Sequence, residues 1–246
     1  MPIELIDLLI SICLFLGAIL YTSVGHAGAS IYIAIMALFS VPTTVIKPTA
    51  LMLNIFVSSF TSWRFIKHGF FDLKVLTPIA LGAIIFSFIG GYINISSHIY
   101  KTIVGIILIC SAINLIWKKN FNVVKTKKPF LLWPILSGCG IGFLAGLTGT
   151  GGGIFLSPLL LFLNWSDTKK TSGICAVFIL INSFFGLLGN YSSVQYIPTQ
   201  LPLYLIATMI GACIGTFLGI KYYSVTGIRK ALAMVLIIAG FKLIYT

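Results

Sequence analysis

The sequence predicts an all-α polytopic membrane protein: an inverted repeat of two units, each a broken helical hairpin plus three transmembrane helices. Three observations carry that expectation. The 246 residues are 59% hydrophobic and only 8% charged, with a mean hydropathy of +1.09, whereas a soluble domain carries about 25% charge. Apolar runs near the roughly 20 residues that cross a bilayer recur along the chain. Two of them are followed by polar, glycine-bearing breaks, "GHAGAS" (Gly25–Ser30) and "TGTGGG" (Thr148–Gly153).

In chain order, long apolar segments fall near 5–24, 49–66, 75–95, 99–117, 130–148, 171–190, 201–220 and 228–245. Two shorter ones, near 29–41 and 152–164, follow the first and the fifth. Each short segment is about half a span. The opening stretch, "MPIELIDLLISICLFLGAIL", carries Glu4 and Asp7 where a signal peptide carries basic residues, so it reads as a retained first membrane segment.

The breaks lie 123 residues apart, and the same offset carries Gly17 onto Gly140, Lys47 onto Lys170 and Thr49 onto Ser172. The chain therefore divides into a first repeat over 1–119, a cytoplasmic linker over 120–129 and a second repeat over 130–246. Basic residues cluster in four places: Arg64, Lys67 and Lys74; Lys118, Lys119, Lys125, Lys127 and Lys128; Lys169 and Lys170; and Lys221, Arg229 and Lys230. Basic loops stay in the cytoplasm. With the central linker and Lys169–Lys170 both inside, the second broken segment enters and returns on the cytoplasmic side. By the same logic the first broken segment starts and ends outside, which places the N-terminus outside. The first copy begins outside and the second inside, the architecture of many secondary transporters. The net charge of +12 is thereby used for orientation, and no basic stripe interleaved with aromatics suggests nucleic acid.

Non-helical backbone at membrane depth must be buried in protein or line a wet cavity. In an inverted repeat the two breaks approach each other, and the short helices begin near Ala29 and Gly152. Helix N-termini present free N–H groups and about half a positive charge, so two of them facing a common centre make an anion site. The candidate substrate-binding residues are Ser23, Gly25, His26, Gly28, Ala29 and Ser30 in the first half, with Thr148, Gly149, Thr150, Gly151, Gly152 and Gly153 in the second. The hydroxyls of Thr22, Ser23, Ser30, Thr148 and Thr150 are expected to add hydrogen bonds. Asn54 and Asn182 are amides in apolar helices, either joining helices or touching substrate. His26 is the only core histidine, a candidate anion donor and proton-coupling group. Lys47 and Lys170, matched by the offset, are expected to attract anions to the two mouths.

The only acids are Glu4, Asp7, Asp72 and Asp167, all near segment ends. That excludes a mid-membrane aspartyl protease. No zinc motif, P-loop or nucleophile elbow is present, so neither a metal, a cofactor nor an enzyme is expected. The five cysteines (Cys13, Cys110, Cys139, Cys175 and Cys213) form no C-x-x-C pair and read as free, buried, small apolar residues. An intramembrane enzyme using His26 with Cys139 or Ser23 is the disfavoured rival.

The stretches "GFLAGLTGTGGGIFLSPLLLF" and "KKTSGICAVFILINSFFGLLGN" closely resemble the second-half signature of the TauE/SafE sulfite-exporter family, also called the toluene-sulfonate uptake permease group. "SVGHAGASIYIAIMALF" with "KPTALMLNIFVSSF" resembles the first half of one branch of it. The resemblance covers nearly the whole chain. It implies a prokaryotic inner-membrane transporter whose substrates are sulfite, sulfonates and similar anions. The family's Gly-x-Gly-Gly-Gly pattern matches at Gly149–Gly153, whereas the first half departs from it with His26, Ala27, Ala29 and Ser30. The expected partners are a small anion, the lipid bilayer and coupling H+ or Na+, with a homodimer left open. A passive anion channel using the same dipoles is the alternative function.

Overall fold

A computed structural model describes residues 4–23, 25–117, 130–221 and 226–245. The expected linker over 120–129 lies outside the described residues. The described residues form ten α-helices and one short 3-10 helix, with no strand among them. In order these are α1 (Leu5–Ser23), α2 (Ala29–Leu38), α3 (Thr43–Lys67), α4 (Leu73–Tyr92) and α5 (Ser97–Trp117). Then come α6 (Leu132–Thr148), α7 (Gly153–Phe162), α8 (Thr168–Gly189), the 3-10 turn Tyr191–Tyr196, α9 (Leu201–Lys221) and α10 (Thr226–Tyr245). Long helix, ten-residue helix and three further helices thus occur twice in succession.

Five described helices, α1, α3, α4, α8 and α9, are long and apolar enough to cross a membrane. The protein is a multi-pass membrane protein. Leu9, Ile85, Ile106, Phe217 and Ile238 are exposed, as side chains that face lipid should be. The two ten-residue helices are about 15 Å long, half the hydrocarbon thickness. In α2 every residue from Ala29 to Ala37 is buried. A helix apolar all round needs such a core position.

The packing is reciprocal: α1 lies on α9, α4 on α6, α3 on α8 and α5 on α10. Glycines decide two of these pairs. On α6, Gly138, Gly142 and Gly146 back onto Ile79, Ala83 and Ser87 of α4, where an added methyl would overlap the backbone. On α9, Gly211, Gly215 and Gly219 back in the same way onto Phe15, Ile19 and Ser23 of α1. Small residues spaced four apart let membrane helices approach this closely. Both pairs run parallel.

Polar contacts fix the helix ends. The Asp7 carboxylate accepts hydrogen bonds from Gln200 Nε2 and Tyr204 Oη, both at 3.3 Å, joining the start of α1 to the start of α9. The ammonium of Lys242 donates to Leu38 O at 2.7 Å and to Ser40 Oγ at 2.9 Å, joining the end of α2 to α10. Thr43 and Ser97 share a hydrogen bond of 2.9 Å between the starts of α3 and α5. Around the first turn of α8, the Lys169 ammonium lies 5.0 Å from the Phe70 ring and Gly173 backs onto the Phe70 carbonyl. The start of α8 therefore sits beside the α3–α4 turn. Asp72 and Asp167 cap α4 and α8, accepting from Lys74 N at 3.0 Å and Lys170 N at 2.9 Å.

Candidate functional site

The two breaks are left-handed where glycine is needed. Gly25 has φ +81° and Gly28 has φ +113°; Gly149, Gly151 and Gly152 have φ +80°, +69° and +78°. L residues avoid this region. Gly28 and Gly152 are the N-caps of α2 and α7, and neither helix has a side-chain cap. Their first N–H groups thus lack the usual side-chain acceptor.

The breaks meet. His26, 8% exposed, lies 3.1 Å through Nε2 from the carbonyl oxygen of Gly153, the first residue of α7. A carbonyl only accepts, so the ring proton is on Nε2. Cys175 Sγ also points at Gly153 O, at 3.8 Å. Tyr21 closes on the imidazole edge-on, with ring centroids 6.2 Å apart. On the α2 side, Tyr32 Oη donates to Ala27 O at 2.7 Å.

Each break also abuts the second turn of the other half's long helix. Gly25 packs on Ser172 of α8, while Gly149 packs on the stem of Lys47 of α3, whose Cγ would be 3.2 Å from an added Cβ. Gly151 faces Asn54 of α3 and Ser183 of α8, which hydrogen-bond each other at 3.2 Å. Both are fully buried, and Asn54 Oδ1 has no hydrogen-bond partner among the described residues. Tyr100 of α5 donates to Thr148 O at 3.0 Å.

Several sequence expectations change here. The hydroxyls are mostly spent. Thr22 donates to Ala18 O, Ser23 to Leu20 O and Thr148 to Leu144 O. At the 3.0 Å contact between Thr148 and Thr150, the proton must then come from Thr150. Ser30 is buried close to the Tyr21 hydroxyl. A neutral His26 likewise gives its one N–H to Gly153 and has none for an anion. The donors left to a ligand are backbone N–H groups and the Asn54 amide. Asn182 donates to Phe178 O of its own helix and takes Ser87 Oγ on its backbone carbonyl, so it ties α8 to α4.

Lys47 and Lys170 are not equivalent in place. The fifth residue of α3 is Lys47 and the fifth of α8 is Ser172. Lys170 is exposed and lies 4.0 Å from the Asp167 carboxylate. Lys47 is 8% exposed and donates to Gly91 O of α4 at 3.1 Å. None of the five cysteines forms a disulfide, but only Cys175 is buried, and Cys110 and Cys213 are exposed. Sequence reasoning missed Cys175, Ser183 and Tyr100. The first two had a readable signal: Cys175, Ile179 and Ser183 recur every fourth residue, one row of a helix, and that row faces Gly151 and Gly153. No cluster of three metal-ligating side chains occurs among the described residues.

Comparison with known proteins agrees with this architecture. The pattern of the family described as "Sulfite exporter TauE/SafE" matches residues 9–243. The chain is similar to a probable membrane transporter protein of Sinorhizobium fredii, 37% identical over 240 residues, covering 96% of this chain and 97% of that protein. It is also similar to a probable membrane transporter protein of Methanocaldococcus jannaschii, 29% identical over 178 residues, covering 70% of this chain and 66% of that protein. No solved structure matches. Glycine-broken half-helices that meet inside a multi-pass bundle, together with a match over nearly the whole chain, place this protein in the TauE/SafE sulfite-exporter family of membrane transporters.

Proposed function

We infer that the protein is a secondary transporter of small anions. The substrate class is sulfite, a sulfonate or a related organosulfur oxyanion, moved across a prokaryotic inner membrane by alternating access. The observation that carries this reading is the 3.1 Å contact from His26 to Gly153, which brings together two half-helix starts with no side-chain cap. Their N–H groups are the anion donors. Asn54 completes the site. A half-turn of its amide lets Ser183 donate to Oδ1 and frees an N–H for the ligand.

The reciprocal packing of α1 on α9 and α4 on α6 supports an inverted repeat. So do the helix ends: α1 starts and α2 ends among α9, α10 and the start of α3, while α8 starts beside the α3–α4 turn. The basic α3–α4 turn and Lys169–Lys170 then face the cytoplasm and the N-terminus faces outside. In this reading the two halves rock about the breaks. A second proton on the buried His26 would put positive charge beside both of them, which is a route to proton coupling. Sodium coupling is the other route, and it leaves His26 neutral.

Thermal unfolding of the purified protein tests the reading. A ligand at 100 times its Kd adds about 2.7 kcal/mol, a rise of several degrees for a chain of this size. Millimolar sulfite, a short sulfonate or sulfoacetate should produce it. No rise with any sulfur oxyanion or carboxylate sinks the proposal.

A further inference from the structure

A second place in the molecule asks for an anion, away from the meeting point of the breaks. Lys47 is buried, and its described contact is one backbone carbonyl, Gly91 O at 3.1 Å. Among the described residues no carboxylate pairs with it. Asp7 serves Gln200 and Tyr204, and Asp72 and Asp167 cap helices. A buried ammonium with no counter-charge is costly. One carbonyl supplies a fraction of what water or an anion would.

Lys47 also lines a cleft of about 90 Å3 with Thr44, Asn94, Ser97, Tyr100 and Asn190. That volume holds several waters, or one small oxyanion keeping part of its hydration. The starts of α3 and α5 both border it, adding two positive helix ends. The cleft reaches Leu147 and Tyr100, and Tyr100 holds the carbonyl of Thr148 at the edge of the second break. Its floor, Lys47, packs on Gly149. A neighbouring cleft of about 320 Å3 shares Thr43, Thr44 and Ser97 with it and adds Lys101 and Lys242.

We propose that this cleft is an entry subsite for a small oxyanion, with Lys47 as its counter-charge. It rests on the transporter reading and deepens it. The anion takes the two ammonium hydrogens that Gly91 leaves, then passes Gly149 to the central site. The subsite exists on one side only, because the structurally matching residue in the second half is Ser172. A buried ammonium thus serves entry from the cleft side, and a serine stands in its place on the other.

Two experiments on the full-length protein test this. Crystals soaked in selenate, an anomalously scattering oxyanion, should show a peak within hydrogen-bond reach of Lys47 Nζ; a cleft without such a peak overturns the proposal. In proteoliposomes, Lys47→Gln should raise the KM for sulfite entering from the cleft side about fivefold or more, with Vmax within twofold. Lys47→Arg keeps the charge and should raise KM less than Lys47→Gln does. Asn94 is exposed, so Asn94→Asp keeps the fold if Lys47→Gln does not, and its carboxylate should raise KM by competing for the ammonium. Unchanged KM in both Lys47→Gln and Asn94→Asp overturns the subsite and leaves the transporter reading standing. Failure of the wild type to move sulfite, any sulfonate or any carboxylate overturns the transporter reading, while the selenate crystal still decides the cleft.

Discussion

Replacing Gly151 by alanine probes the second break where it is most enclosed. Gly151 has φ +69°, and a left-handed L residue costs about 1–2 kcal/mol. Its new Cβ would lie 2.8 Å from Ile179 Cγ2, 2.9 Å from Asn54 Nδ2 and 3.2 Å from Ser183 Oγ. Ile179 and Asn54 are 3% and 0% exposed, so neither retreats without moving α8 or α3. Overpacking of this kind costs a further 1–3 kcal/mol or so, giving on the order of 2–5 kcal/mol in all. Gly69 supplies the control. It has φ +74° with nothing within 4 Å of its added Cβ, so Gly69→Ala reads the backbone cost alone. At about 2–4 °C per kcal/mol, thermal melts followed by tryptophan fluorescence should separate the two variants. Gly151→Ala should melt well below Gly69→Ala and lose transport, while Gly69→Ala keeps it. Equal melting temperatures with normal transport in both would refute the packing of Asn54 and Ser183 onto the break.

Other predictions follow the same contacts. His26→Gln keeps a donor for Gly153 O and should fold like wild type. His26→Ala strips that carbonyl and should cost about 1–3 kcal/mol in the same melt. If His26→Gln leaves the pH profile of transport unchanged, His26 has no part in coupling. On α6, Gly140 has nothing within 4 Å of its added Cβ whereas Gly142 faces the backbone of Ala83. Gly140→Ala should thus be neutral or stabilising by up to about 1 kcal/mol, and Gly142→Ala should be destabilising. Tyr100→Phe loses the hydrogen bond to Thr148 O and should cost roughly 1 kcal/mol while raising sulfite KM.

The breaks were legible because their signals are local. A glycine run inside an apolar stretch, followed by ten apolar residues, states that a helix stops and restarts. α2 begins at Ala29 as read, and α7 begins at Gly153, one residue after the expected start. The packing was not legible, because it joins residues distant in sequence. Asn54 meets Ser183, Tyr100 meets Thr148, and Lys47 meets Gly91. The glycine rows on α6 and α9 state only that something small-sided packs there, not which helix. Lys47 shows the limit of matching by offset. The register that pairs the breaks pairs it with Lys170, yet the starts of α3 and α8 place it opposite Ser172. Hydroxyls are hard to read for a related reason: Thr22, Ser23 and Thr148 bond to carbonyls of their own helices, an option open to any Thr or Ser near a helix end.

The central claim is that anions cross by binding at the joined breaks and being carried through a conformational cycle. Counterflow measures this directly. Proteoliposomes loaded with excess unlabelled sulfite are diluted into trace labelled sulfite with no other gradient. The account predicts transient accumulation of label inside, saturable in sulfite and abolished by Gly151→Ala. Label that only equilibrates, at a flux that does not saturate, would contradict a transporter and indicate a channel.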